Sequence, residues 1–184
     1  MALFNLHKAL QAAAVLVKTE PGDRMNYMRL LKLLYIADRE SLRETGCPLT
    51  HDRFVAMDHG PVPSRLYNLI MGRDPESPDW SRFVVTEHFD VELVRDPGNA
   101  KLSAYEIETL QRVADERRSL NQWGVRDETH DFSEWKKNHV KGTAIDIPLR
   151  DILDAVGRGG DADTILEEAA KRNRLLGLLE RADR

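Results

Sequence analysis

Lys32, Tyr35 and Asp38 are the first residues whose types and spacing could do chemistry. Set three apart, they fall roughly along one stripe of a helix. An amine, a phenol and a carboxylate so placed could act as a catalytic set, or form a polar rim around a surface that grips a partner. A half-exposed stripe whose long stems reach water accounts for them equally well. Asp58-His59-Gly60-Pro61 is a tight polar corner. Its glycine admits backbone conformations closed to other residues, and its proline has its own φ locked by the ring, which stiffens the corner. The corner reads as a strand-to-helix turn, or as a rigid loop presented to a partner. His51 and His59 would face one side of a shared strand, and His130 could complete a three-histidine metal site of a small hydrolase. Nothing in the sequence brings His130 near, and Asp52 and Asp131 flank the histidines without diagnostic spacing.

Other signatures fail on context. Gly157-x-Gly159-x-x-Ala162 matches a loose dinucleotide fingerprint, but helical periodicity precedes it and too little chain comes after it for a parallel strand pair. There is no G-x-S-x-G, no P-loop and no H-E-x-x-H. Ser64 has no argued base. Arg117-Arg118, Lys136-Lys137 and Lys171-Arg172-x-Arg174 are interleaved with acids and read as solvated helix faces. Trp80, Trp123 and Trp135 read as core or rim anchors.

The elements that must position these residues are set by periodicity. Leu3, Leu6, Leu10, Ala13, Leu16 and Val17 predict a first helix over 3–18, stopped by Pro21-Gly22. Asp23 is a candidate N-cap for a second helix running to Arg43 or Thr45. That helix is apolar nearly all round, so it belongs at the centre of the core. Gly46 ends it. Phe54-Val55-Ala56-Met57 is a short strand candidate. Pro61 and Pro63, lacking N–H groups, predict that no ladder continues there, and Pro63 suits the first turn of a helix ending near Gly72. Arg73 to Trp80 reads as an exposed loop. Phe83 to Val94 alternates as a strand, with Phe89, Val91 and Leu93 on one face. Ser103-x-x-Glu106 is a capping box. Short helices are predicted over Ser133 to His139 and after Pro148, and Thr164-x-x-Glu167 is the candidate cap of a last helix over 161–182.

The expected fold is therefore mainly α with a small β component (α+β): one domain over 1–184, a helical bundle with two or three short strands on one side. The 184 residues suit that size. Hydrophobic residues at 41% and charged ones at 32% describe a globular chain rather than a disordered one. A net charge of -4 and a pI near 5.9 argue against a strong phosphate-binding surface. Cys47 is the lone cysteine, which excludes an internal disulfide framework and fits a reducing cytosol. No apolar run is long enough for a membrane span, and nothing reads as a signal peptide. A cytoplasmic protein is expected, with no cofactor.

Lys32-Leu33-Leu34-Tyr35-x-x-Asp38, Phe54 with Ala56-Met57, Gly60-Pro61-Val62 and Tyr67 together resemble the SocA-like antitoxin, or Panacea, domain. Leu102-Ser103 with Glu106, and Thr129-His130 with Trp135, are similar to the later family pattern. The likeness covers roughly 23–146. Gln122-Trp123-Gly124-Val125 stands where the family usually has a Leu-rich stretch. The resemblance implies an antitoxin of a bacterial or phage-borne toxin–antitoxin pair that neutralises a cognate toxin protein by direct contact. In one branch of the family the antitoxin is an adaptor that delivers its toxin to an ATP-dependent protease. The residues expected to carry partner binding are Lys32, Tyr35, Asp38, Arg39, Asp58, His59, Gly60, Pro61 and Tyr67, with no catalytic or metal set. The alternatives are an autoregulatory nucleic-acid binder and the histidine-metal hydrolase.

Overall fold

The computed structural model describes residues 4–182, leaving aside the side chains of 172, 173 and 176–182. The α+β class expected from the sequence is what the chain adopts, with helices forming the body and two small antiparallel sheets at its sides.

Helix α1 (Leu6–Val17) is capped by the Asn5 side chain, which accepts from the Lys8 N–H. Leu3, expected to open it, lies outside the described residues. Helix α2 (Tyr27–Thr45) is the axis of the molecule, and an unbroken run from Arg29 to Asp38 is buried. Its cap is Asn26, not Asp23: Asn26 Oδ1 accepts from Met28 N and Arg29 N. Asp23 instead closes a 3-10 turn with positive φ, and Arg24–Asn26 then runs as strand β1. Gly46, at φ 74°, ends α2 as expected.

Strands β2 (Phe54–Met57) and β3 (Gly60–Pro63) form a hairpin, so the prolines do not stop the ladder. The register explains why. Ser64 N donates to Arg53 O at 2.7 Å, so the hydrogen-bonded pairs fall at alternate residues and the missing N–H groups of Pro61 and Pro63 point away from β2. β3 is an edge strand, where prolines are tolerated; β6 (Ile145–Asp146) closes the other side in the order β3-β2-β6.

Helix α3 (Ser64–Ile70) starts directly at Pro63. Asp52 caps it from outside the helix, accepting from Arg65 N at 3.0 Å and Leu66 N at 2.9 Å. The segment expected to be an exposed loop contains α4 (Ser77–Trp80), and Trp80 is buried in the main core. The alternating stretch is two strands rather than one: β4 (Val84–Glu87) and β5 (Asp90–Leu93) pair across a turn at His88-Phe89, giving the sheet order β1-β5-β4. Phe89 is therefore not on a strand face but at an exposed turn.

Helix α5 (Ala104–Glu116) carries the reciprocal Ser103–Glu106 capping box. Helix α6 (Gln122–His130) opens at Asn121, and α7 (Ser133–Asn138) and α8 (Leu149–Ala155) come next. Helix α9 (Ala162–Ala182) begins two residues before Thr164, so Thr164 is interior rather than a cap. Two apolar clusters share α2. Leu30, Leu31, Leu33 and Leu34 pack with α1, α5 and the β1-β5-β4 sheet; Tyr35 and Leu42 pack with Phe54, Trp135 and α8.

Candidate functional site

The polar stripe of α2 is not half-exposed. Lys32, Tyr35 and Asp38 are all buried, at 0%, 1% and 1% exposure, and each has its own partners. Lys32 Nζ donates to Pro61 O at 2.8 Å. This carbonyl points off the edge of β3, where no strand can satisfy it, so the amine occupies the place of a neighbouring strand. Burial pushes the Lys32 amine well below the ordinary lysine range, and the Arg126 guanidinium adds to the effect.

One turn on, Tyr35 OH donates to Glu134 Oε1 at 3.1 Å, and Arg39 Nε donates to the same oxygen at 2.9 Å. The Arg39 guanidinium also lies 4.2 Å over the Phe132 ring, which stacks on Tyr35. Burial first, then the Glu134 carboxylate, raises the Tyr35 phenol well above its ordinary range. Asp38 accepts from Thr50 N at 2.7 Å and Thr50 Oγ1 at 2.6 Å, fixing the loop before β2. Its carboxyl is pushed up to about 7 by burial, against the opposing pull of those hydrogen bonds. Glu134, buried and joined to Tyr35 and Arg39, had no local signal in the sequence because its partners lie 99 and 95 residues away.

Gly60 has φ 91°, and a Cβ there would stand 2.7 Å from Thr129 Oγ1 and 3.1 Å from Lys32 Nζ. The glycine thus lets the hairpin press on both α2 and α6. Asp58 and His59, which precede it in the corner, face outward. Asp58 Oδ1 accepts from the His139 ring at 2.9 Å and from Gly142 N at 2.9 Å. Those two bonds hold the Asp58 carboxyl below its usual range. His139 stacks on Trp135 at 4.6 Å, and His130 stacks on the same ring at 4.1 Å. Trp135 Nε1 donates to Met57 O at 3.0 Å. A histidine–tryptophan–histidine stack therefore locks α7 to the hairpin. Burial, with Arg126 and Lys32 nearby, lowers the His130 imidazole.

The three histidines weighed as metal ligands do not converge: His51 lies against Cys47, His59 faces Trp123, and His130 stacks on Trp135. Among the described residues no group of three His, Cys, Asp or Glu is placed to hold a metal ion.

Five of the expected partner-binding residues do come together. Lys32, Asp58, His59, Gly60 and Tyr67 help line one cavity of about 430 Å³. Its walls are α2 (Tyr27, Met28, Leu31), the β2–β3 hairpin (Met57, Val62), α3 and the loop Gly142–Thr143–Ala144. Pro61 sits behind the wall, and Tyr35, Asp38 and Arg39 lie outside it, in the second apolar cluster or at its edge. Sequence reasoning did not single out Phe89 and Trp123, each of which packs on a residue that lines this cavity. Phe89 is 69% exposed and stacks on Tyr27, while Trp123 is 47% exposed and meets His59 edge-on at 6.1 Å. Trp123 is thus a rim residue rather than a core one, a choice that nothing local in the sequence decides.

No helix of the described residues is long and apolar enough to cross a membrane. A comparison with curated proteins finds no match, nor does one with solved structures. The family model described as antitoxin SocA-like, Panacea domain, matches residues 30–136, which spans α2 through the first turn of α7 and so takes in Lys32, the hairpin corner, Trp123 and Trp135. With more than half of its length inside that match, the chain belongs to the SocA-like antitoxin, Panacea-domain family.

Proposed function

We propose that this protein is the antitoxin of a bacterial or phage-borne toxin–antitoxin pair and neutralises a cognate toxin by binding it directly. The observation that carries the reading is the family match over the hairpin, its supporting helices and the Trp135 stack. The arrangement of the polar groups supports it. Lys32, Tyr35 and Asp38 each spend their hydrogen bonds on a carbonyl, a carboxylate or a loop backbone of the fold itself. In that role they stiffen the scaffold behind the exposed corner rather than touch the partner. Half-buried Arg39 and Tyr67, with exposed Asp58 and His59, remain available at the surface. The excess of acids over bases suits a basic toxin.

Co-expression with the product of the adjacent gene tests this. Growth arrest by that product alone, relieved by this chain, is the expected result; arrest that persists at full antitoxin expression contradicts it. The same assay in a host lacking its ATP-dependent proteases separates two modes. Rescue that persists there indicates inhibition by occupancy, and rescue that disappears indicates delivery for degradation.

A further inference from the structure

A cavity lies between α2, the β2–β3 hairpin, α3 and the Gly142–Ala144 loop, and no side chain among the described residues fills it. Its inner walls are Met28, Leu31, Met57 and Val62 with the rings of Tyr27 and Tyr67. The volume, about 430 Å³, falls within the range of side-chain and small-ligand pockets. Two large exposed aromatic residues pack against its lining, Phe89 on Tyr27 and Trp123 on His59. Exposed aromatics beside an apolar concavity are the usual form of an interaction hot spot.

Charge at the rim limits what fits. The turn bearing Phe89 carries Glu87 and Asp90, with Glu92 behind them, and Arg24 alone reaches all three. Asp58 is itself part of the lining, and Asp127 is paired with Arg126 beside Trp123. Against these stand Lys141 in the neighbouring loop and Lys32 in the cavity lining, whose amine is fully buried and already donates to Pro61 O. Carboxylates outnumber cations around the opening, and two of them stand well clear of the arginines they pair with: Glu87 is 66% exposed against 41% for Arg24, and Asp127 62% against 26% for Arg126.

We propose that this pocket seats a basic segment of the partner protein, an apolar side chain entering between Tyr27, Met57 and Tyr67 while flanking Lys or Arg residues face the carboxylates of the rim. The proposal rests on the antitoxin reading for the identity of the partner, but the pocket itself is tested without it.

Two arms make the test. In the first, the isotope-labelled full chain is titrated with acetyl-Lys-Lys-Phe-Lys-Lys-amide and followed by amide resonances of Met57, Gly60, Gly142 and Thr143. Saturable shifts at these positions are expected, weakened about tenfold when Phe is replaced by Ala or when each Lys is replaced by Glu. Equal affinity for acetyl-Ala-Ala-Phe-Ala-Ala-amide would overturn the basic character of the occupant, and the absence of shifts at the pocket would overturn the site. In the second arm, Ala144→Trp plugs the opening from an exposed loop position, and Glu108→Trp on the exposed face of α5 is the bulk control. Affinity for the adjacent gene's product should fall by at least about tenfold for the first variant and stay within about twofold for the second. Unchanged affinity of Ala144→Trp refutes the pocket while leaving the antitoxin function intact. Failure of the wild-type chain to bind that product refutes the functional reading instead, and the peptide arm still decides the pocket.

Discussion

Asp38 makes the fold sensitive to pH in an unusual direction. Its carboxyl is raised from 3.8 to about 7 in the native protein, chiefly by burial. Unfolded, it titrates near its ordinary value. Between these two values the native state holds a proton that the unfolded state has released, so stability falls as pH rises. The contribution is fully present below about pH 4 and is lost by the time the pH passes about 7. Each pH unit inside that window costs the native state about 1.4 kcal/mol. Asp38→Asn removes the titration yet keeps both bonds, because the amide oxygen can accept from Thr50 N and the amide can donate to Thr50 Oγ1. Urea denaturation at pH 5 and pH 8 reads the effect. The stability of the variant relative to the wild type should rise by roughly 3 kcal/mol from the lower to the higher pH, with the m-value unchanged. Asp52, raised in the same direction by burial, is present in both proteins, so most of its own titration drops out of the comparison, apart from the repulsion between the two carboxylates. A wild-type-to-variant difference that stays constant across this range would refute the reasoning, since it would mean that Asp38 is ionised throughout.

The same geometry sets three further outcomes. Gly60→Ala places a Cβ on Thr129 Oγ1 in a left-handed backbone, and should lower stability by about 2–4 kcal/mol in thermal or chemical denaturation. Trp135→Ala removes both histidine stacks and the bond to Met57 O, for a loss of about 3–5 kcal/mol, with hydrogen exchange accelerated first in the β2–β3 hairpin. Lys32→Met exchanges a buried amine of lowered pKa for an apolar chain of similar length. The depressed group weakens the native state as pH falls, so the variant should gain most over the wild type at pH 5, and the gain should shrink toward alkaline pH.

What could be read from the sequence was local. The burial of α2, its stop at Gly46, the capping box at Ser103 and the short helices after Phe132 and Pro148 each depend on residues within a turn or two of one another. What could not be read was tertiary. Lys32 and Asp38 look like exposed charges until Pro61 O and Thr50 are brought against them. Pro61 and Pro63 look like ladder breakers until the register turns their nitrogens outward. The β4–β5 turn carries His88-Phe89 instead of a glycine-rich pair, so its alternation read as one strand. Trp80 sits among two prolines and several acids, and only packing shows that it is core. For the site, the family motif drew attention to the Asp58–Pro61 corner, and one cavity gathers five of the nine residues named as partner-binding candidates. Phe89 and Trp123 escaped because an exposed aromatic has no periodic signature.

The proposed function is the binding of a second macromolecule. Titrating the purified chain with the purified product of its adjacent gene, in a calorimeter at moderate salt, tests it most directly. A saturable complex of defined stoichiometry with submicromolar Kd, weakened as salt is raised, is the predicted result. Heats indistinguishable from dilution at every salt concentration would contradict it.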